Sequence, residues 1–154
     1  MNDGSFTEVL LDRNVSAILT EKFDELIELV PEFETADKAL LLYRIKTVGK
    51  SPPDLALRCA LLLCDIGRAD CHACSADGID TYYGYAERSR IYAVRIMSRF
   101  GVGKDVIDKT ERLIVAAPEL AHMSESDFAA LEKGSELQKL LYLFNRANIR
   151  AKSE

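Results

Sequence analysis

A chain of 154 residues with 48% hydrophobic content is long enough to bury one contiguous core, and one compact domain is expected. Its 20 basic against 25 acidic residues, a formal net charge of −5, exclude a chain-wide attraction to phosphate backbones or anionic membranes. No apolar stretch approaches the roughly 20 residues of a membrane span, and the opening MNDGSFTEVLLDRN lacks the basic-then-apolar layout of a secretory signal. A cytoplasmic protein with no membrane partner is therefore expected, its four cysteines held as thiols rather than as a disulfide framework.

Helical periodicity dominates, and no run of alternating β-branched residues is bracketed by hairpin turns. The fold class expected is all-α, a domain of about six to eight helices around a buried central one. A short element over FTEVLLDR precedes a long helix starting after Asn14 or Ser16, in which Val15, Ile18, Leu19, Phe23, Leu26, Ile27 and Val30 recur at spacings of three and four until Pro31. Residues 1–35 thus form a helical lead-in packed on a domain of residues 36–154, the two making one structural unit. The next helix spans roughly Ala36 to Val48, with Gly49 expected as a left-handed terminator before Ser51-Pro52-Pro53.

The third long helix, DLALRCALLLCDIG, carries Arg58 as its one charge between its first and last turns, which marks it as the buried central helix. From Arg68 to Thr81 the pattern gives way to a loop with a short hairpin around Asp77-Gly78. A helix from about Tyr85 to Phe100 ends at Gly101, with Ile91, Val94, Met97 and Ser98 facing inward and Arg88, Arg95 and Arg99 outward. Another covers Lys104 to about Ala117, cut off by Pro118, and the tail holds a capped start at Ser124 and a last amphipathic helix from Ser135 through Ile149.

Four stretches carry a likeness: NVSAILTEKFDELIELVPEF, PPDLALRCALLLCDIGRA, DGIDTYYGYAERSRIYAVRIMSRFGVGKDVIDKTERLIVAA and LYLFNRANIRAKSE. Through the Pro-Asp-Leu-x-Leu-Arg start of the central helix, its x-Asp-Ile-Gly exit, the Tyr-Gly-x-x-x-x-Ser module at Tyr83 to Ser89 and the Arg-Ala-x-Ile ending at Ile149, the chain resembles the HD-domain region of bacterial CCA-adding tRNA nucleotidyltransferases. The resemblance implies an HD-like helical scaffold in which histidines and aspartates from separate helices would hold a divalent metal that activates water against a phosphate ester. The positions that should carry those ligands are occupied here by Tyr43, Cys64, Asp65, Tyr85, Ala117 and Asn148, and Asp65 alone keeps the type the family uses.

Such a metal needs about four to six ligands, and one carboxylate among tyrosines, a thiol, an amide and a methyl does not supply them. The resemblance therefore implies a degenerate site with no catalytic residues and no cofactor, in which Tyr43, Tyr85 and Asn148 lie near Asp65 and some of their donors satisfy it. The phosphate-cradling turn and paired carboxylates of nucleotidyl transfer are also absent from the sequence. The expected role is a binding or protein-interaction module. The alternative is a weak metal-dependent phosphohydrolase, or an accessory component that acts on tRNA with a separate catalytic chain.

Two further patterns bear on chemistry. Cys64, Cys71, His72 and Cys74 form a C-x6-C-H-x-C series of zinc-type ligands, though one lies on a helix and three in a loop, and reduced structural thiols are the plainer reading. Arg88, Arg95 and Arg99, with Arg90 and Lys104 beside them, could present a basic strip to tRNA, but in an acidic chain such strips are usually paired with nearby acids. His122 is read as an exposed polar residue. Leu131, Leu137, Tyr142 and the N-terminal FTEVLL leave apolar material at both ends, which would serve an unknown protein partner or a homo-oligomer if uncovered.

Overall fold

Helix after helix wraps the segment LALRCALLL, which is buried at every position from Ala56 to Leu63. The computed structural model describes residues 1–153. Its helices are α1 (Phe6–Leu11), α2 (Val15–Glu21), α3 (Phe23–Leu29), α4 (Lys38–Gly49), α5 (Leu55–Leu63), α6 (Arg68–Cys71), α7 (Tyr85–Arg99), α8 (Lys104–Ala116), α9 (Glu125–Leu131) and α10 (Glu136–Ser153). Between α6 and α7 a two-strand hairpin pairs β1 (Ala73–Cys74) with β2 (Asp80–Thr81) in antiparallel register, Ala73 opposite Thr81. The fold is all-α, and no helix among the described residues is long and apolar enough to cross a membrane.

The helix count exceeds the expected six to eight because the long first helix is broken and because the stretch expected as a loop from Arg68 opens with the short helix α6. Lys22 leaves helical geometry (φ −101°, ψ 31°), dividing α2 from α3. Thr20 turns its hydroxyl back onto the Ser16 carbonyl at 2.7 Å, a bond that loosens a helical turn, and the bend lets Val15, Leu19, Leu26 and Val30 all reach the core. Side-chain caps set three helix starts: Asp37 accepts from the Ala39 and Leu40 N–H groups, Asp54 from Leu57, and Ser124 from Asp127. Ser135 and Gln138 exchange bonds at the start of α10, which runs past Ile149 to Ser153.

Around α5 stand α1, α4, α7, α8 and α10. Its single internal charge, Arg58, is 3% exposed and clasps the carbonyls of Leu10 (2.7 Å), Asp12 (2.8 Å) and Ser51 (2.8 Å). One guanidinium thereby answers the backbone acceptors that the end of α1 and the α4–α5 turn would otherwise bury unpaired. Phe6 and Leu10 are fully buried, Leu131 is 6% exposed, and Tyr142 stacks on Phe128 at 5.0 Å. Most of the apolar material at the two ends is therefore used by the chain's own core, while Leu11 stays 42% exposed.

Three local expectations give way. Gly49 is not a left-handed terminator but the last residue of α4, and its lack of a side chain serves a close approach: a Cβ there would lie 2.6 Å from the Ser16 Cβ of α2. Ile91 (38% exposed) and Ser98 face outward, while α7 buries Ser89, Ala93, Ile96 and Met97. Its rotation follows from Ser89, whose hydroxyl accepts the buried Gly67 N–H at 2.9 Å and so begins the inward stripe at i, i+4, i+7 and i+8.

Gly67 completes that junction, since a Cβ there would meet the Ser89 backbone nitrogen at 2.6 Å and the Arg88 Cβ at 2.8 Å. Backbone cannot yield as a side chain can. Gly67→Ala is expected to destabilise the fold by about 1–3 kcal/mol through overpacking, and Ser89→Ala by a similar amount through an orphaned N–H. Urea unfolding followed by circular dichroism checks both, as a lowered midpoint at constant slope.

Candidate functional site

Five segments of the chain meet where α5 ends. Cys64 closes that helix and Asp65 follows in the turn; Tyr43 and Arg44 come from α4, Tyr85 opens α7, Ala117 follows α8, and Asn148 lies on α10. All seven line one cleft of about 400 Å3, with Phe144 on its wall and Lys152 among its charged residues. The positions singled out from sequence as Tyr43, Cys64, Asp65, Tyr85, Ala117 and Asn148 are thus brought together, although they lie on five separate segments.

Their centre is a cation that the sequence reading passed over. The Arg44 side chain is 8% exposed. It donates through one terminal nitrogen to Cys64 Sγ at 3.0 Å and through the other to Asn148 Oδ1 at 2.5 Å, while its Nε lies 3.4 Å from Asp65 Oδ2 without hydrogen-bond geometry. The guanidinium also sits 4.9 Å from the Tyr43 ring centre. Asn148 is held for this contact, because its amide nitrogen donates to the Phe144 carbonyl (3.1 Å) and leaves the oxygen facing Arg44.

The expectation about Asp65 is corrected accordingly. Tyr43 donates to the Asn148 carbonyl at 3.3 Å, not to Asp65, and the Asn148 amide is committed elsewhere. Asp65, 16% exposed, is balanced by charge: Arg44 on one side and Arg68 at 3.7 Å on the other. A signal for Arg44 was present, since it shares the stripe of Leu41, Ile45 and Val48 that α4 turns to the core, where a charge must find partners.

Burial opposes the charge on Arg44, but Cys64 and Asp65 facing it carry its pKa above the ordinary arginine value. Burial, with the Asp65 charge adding to it, pushes the Cys64 thiol up to about 12, so the sulfur that accepts from Arg44 is neutral at pH 7. Tyr85 is shifted upward as well, first by burial and then by Asp65. The charge that balances Arg44 is therefore the carboxylate of Asp65.

A divalent metal does not fit this donor set. The Cys64 sulfur and the single Asn148 side-chain oxygen are both already bonded to Arg44, and the fixed positive charge of the guanidinium stands against Asp65 where a second positive charge would have to sit. Nor do the zinc-type residues assemble. Cys64 is buried against Arg44, Cys74 is exposed, and His72 bonds Asp80 at 2.7 Å while stacking on Tyr82. Among the described residues no three His, Cys, Asp or Glu side chains converge to hold a metal.

The arginines of α7 do not form an open strip. Arg88 pairs with Asp70 (3.0 Å), Arg90 with Glu87 (2.5 Å) and Glu111 (2.6 Å), and Arg99 with both oxygens of Glu32 (2.9 Å). Arg95 lies over the Tyr92 ring at 5.5 Å. Lys104 opens α8, and His122 is exposed at the end of the turn after it. No family model, no curated protein and no solved structure matches the chain.

Removing the central cation should be costly. Arg44→Met is expected to destabilise the fold by about 2–3 kcal/mol, somewhat below the usual cost of breaking a buried pair because Asp65 retains Arg68. Arg44→Met combined with Asp65→Asn should cost less than the two single variants summed, which a double-mutant cycle in urea measures.

The thiols give a second check. Cys59 and Cys64 are both buried and held protonated to about 12, whereas Cys71 is half-buried and Cys74 exposed. Below the ordinary thiol value of 9.0 both states carry these protons and the contribution is whole. Above it only the unfolded chain releases them, so stability falls as pH climbs from 9.0 toward 12. An aromatic disulfide reagent at pH 8 should modify Cys71 and Cys74 rapidly, and Cys59 and Cys64 only after denaturation.

Proposed function

We propose that the chain is a non-catalytic HD-like module, related to the HD region of CCA-adding tRNA nucleotidyltransferases, that keeps the helical scaffold and serves in binding or protein interaction. One observation carries the reading: the six positions that the likeness marks as former ligands share a single cleft, and a buried arginine holds its middle. A guanidinium can take over the structural half of what a metal does there, tying α4, the end of α5 and α10 together by charge and hydrogen bonds. The catalytic half is different in kind. A metal activates water by coordinating it and lowering its pKa, and an arginine that remains protonated offers neither a vacant coordination position nor a base.

The paired state of Arg88, Arg90 and Arg99 favours an interaction role over a nucleic-acid one, because cations already answered by carboxylates have less to gain from phosphates. A screen of phosphate monoesters, diesters and nucleotides with added Mn, Co, Ni or Mg tests the reading, with elemental analysis of protein purified without chelator. No metal-dependent turnover and far less than one metal per chain are expected. Turnover that rises with stoichiometric metal would overturn the proposal.

A further inference from the structure

On the other side of the Arg44–Asp65 pair lies a second cleft, of about 490 Å3, between α4, the α5–α6 turn and the hairpin. Its floor is apolar. Phe33, Leu41, Leu62 and Ile66 reach it from the core, each less than 5% exposed, and Leu40 and Ala69 continue the wall outward. That volume lies within the range that encloses a small organic molecule, and an apolar floor with a few fixed polar groups is the usual composition of such sites.

Arg68 is the polar group with capacity to spare. Its guanidinium lies 4.2 Å from the centre of the Tyr82 ring and 4.9 Å from that of Tyr85, so two aromatic side chains hold it in place. Its contact with Asp65, at 3.7 Å, is an ion pair without a hydrogen bond, and none of its side-chain N–H groups donates to the protein among the described residues. The other charges lining the cleft are committed. Asp65 faces Arg44; Asp37 accepts the Ala39 and Leu40 N–H groups at the positive end of α4; His72 is bonded to Asp80. An arginine fixed by stacking, with its donor edge uncommitted, is the arrangement that receives an oxyanion through parallel hydrogen bonds.

We propose that this cleft binds a small amphiphilic oxyanion, whose carboxylate or phosphate group is received by Arg68 and whose apolar body lies on Phe33, Leu40, Leu41, Leu62 and Ile66. The proposal does not rest on the HD likeness, since neither Arg68 nor the floor belongs to the six positions discussed above. Tyr82 is a positioning residue, acting through the guanidinium that it stacks against.

Isothermal titration calorimetry of the full chain tests it with octanoate, octyl phosphate, 1-octanol and inorganic phosphate. Octanoate or octyl phosphate, and the difference between them names the oxyanion, should saturate one site per chain at least about tenfold more tightly than 1-octanol. Inorganic phosphate, lacking the apolar body, should give no saturable heat. Arg68→Met should weaken the charged ligand about tenfold or more while leaving 1-octanol unchanged, with circular dichroism confirming the fold. Ala69→Trp, which places an indole on the cleft wall, should abolish binding and keeps the test decisive if Arg68→Met does not fold. Equal affinity for octanoate, octyl phosphate and 1-octanol, undiminished binding of the charged ligand by Arg68→Met, or no saturable binding of either charged ligand would overturn the proposal.

Discussion

A buried guanidinium must be surrounded by acceptors, and that requirement at Arg44 organises the centre of this protein. Two helices and a turn supply its partners: Cys64 at the end of α5 and Asn148 on α10 accept hydrogen bonds, and Asp65 in the turn beyond α5 balances the charge. The ion pair alone would do little for stability, because desolvating both partners offsets most of their attraction. Its effect is on placement. A side chain that loses several partners at once if α4 or α10 shifts makes displaced packings costly, whereas an all-apolar seam of leucines would tolerate a slip.

Arg58 does related work at the other end of the same helix. Its contacts to the carbonyls of Leu10, Asp12 and Ser51 set the α1–α2 turn and the α4–α5 turn against the start of α5. The central helix is thus apolar along its sides and held at both ends by arginines, one its own and one reaching in from α4. Gly67 and Ser89 supply the third tie, joining the exit of α5 to α7 through a buried hydrogen bond and a contact too close for a side chain. The Pro-Asp-Leu-x-Leu-Arg start and the x-Asp-Ile-Gly exit, two of the most specific features of the sequence, therefore each have a structural reason that holds whatever the protein binds.

Periodicity made most of this legible, and its failures are instructive. The all-α class, the buried α5, the caps at Asp54 and Ser124 and the hairpin before α7 follow from spacing and local chemistry that act within a few residues. The rotation of α7 and the tight approach at Gly49 do not, because each is fixed by a tertiary contact with a distant segment, and the break at Lys22 follows a local Thr20 hydroxyl bond that apolar spacing does not register. The same division runs through the site. The residues that converge could be named, but the direction of their hydrogen bonds could not, since Asn148 is turned by Phe144 on its own helix and toward Arg44 across the cleft.

The two arginines flanking Asp65 show how environment separates one residue type into two roles. Arg44 is enclosed, its terminal nitrogens both spent on protein acceptors, so that it behaves as a fixed internal cation and leaves no room for exchangeable ligands. Arg68 is about one-third exposed and held by ring faces rather than by acceptors, which orders the guanidinium without using its hydrogen-bonding edge. Asp65 balances both and belongs fully to neither. Reception of an oxyanion demands a cation that is held still with donors to spare; Arg68 has that arrangement, and Arg44, with both terminal nitrogens spent, does not.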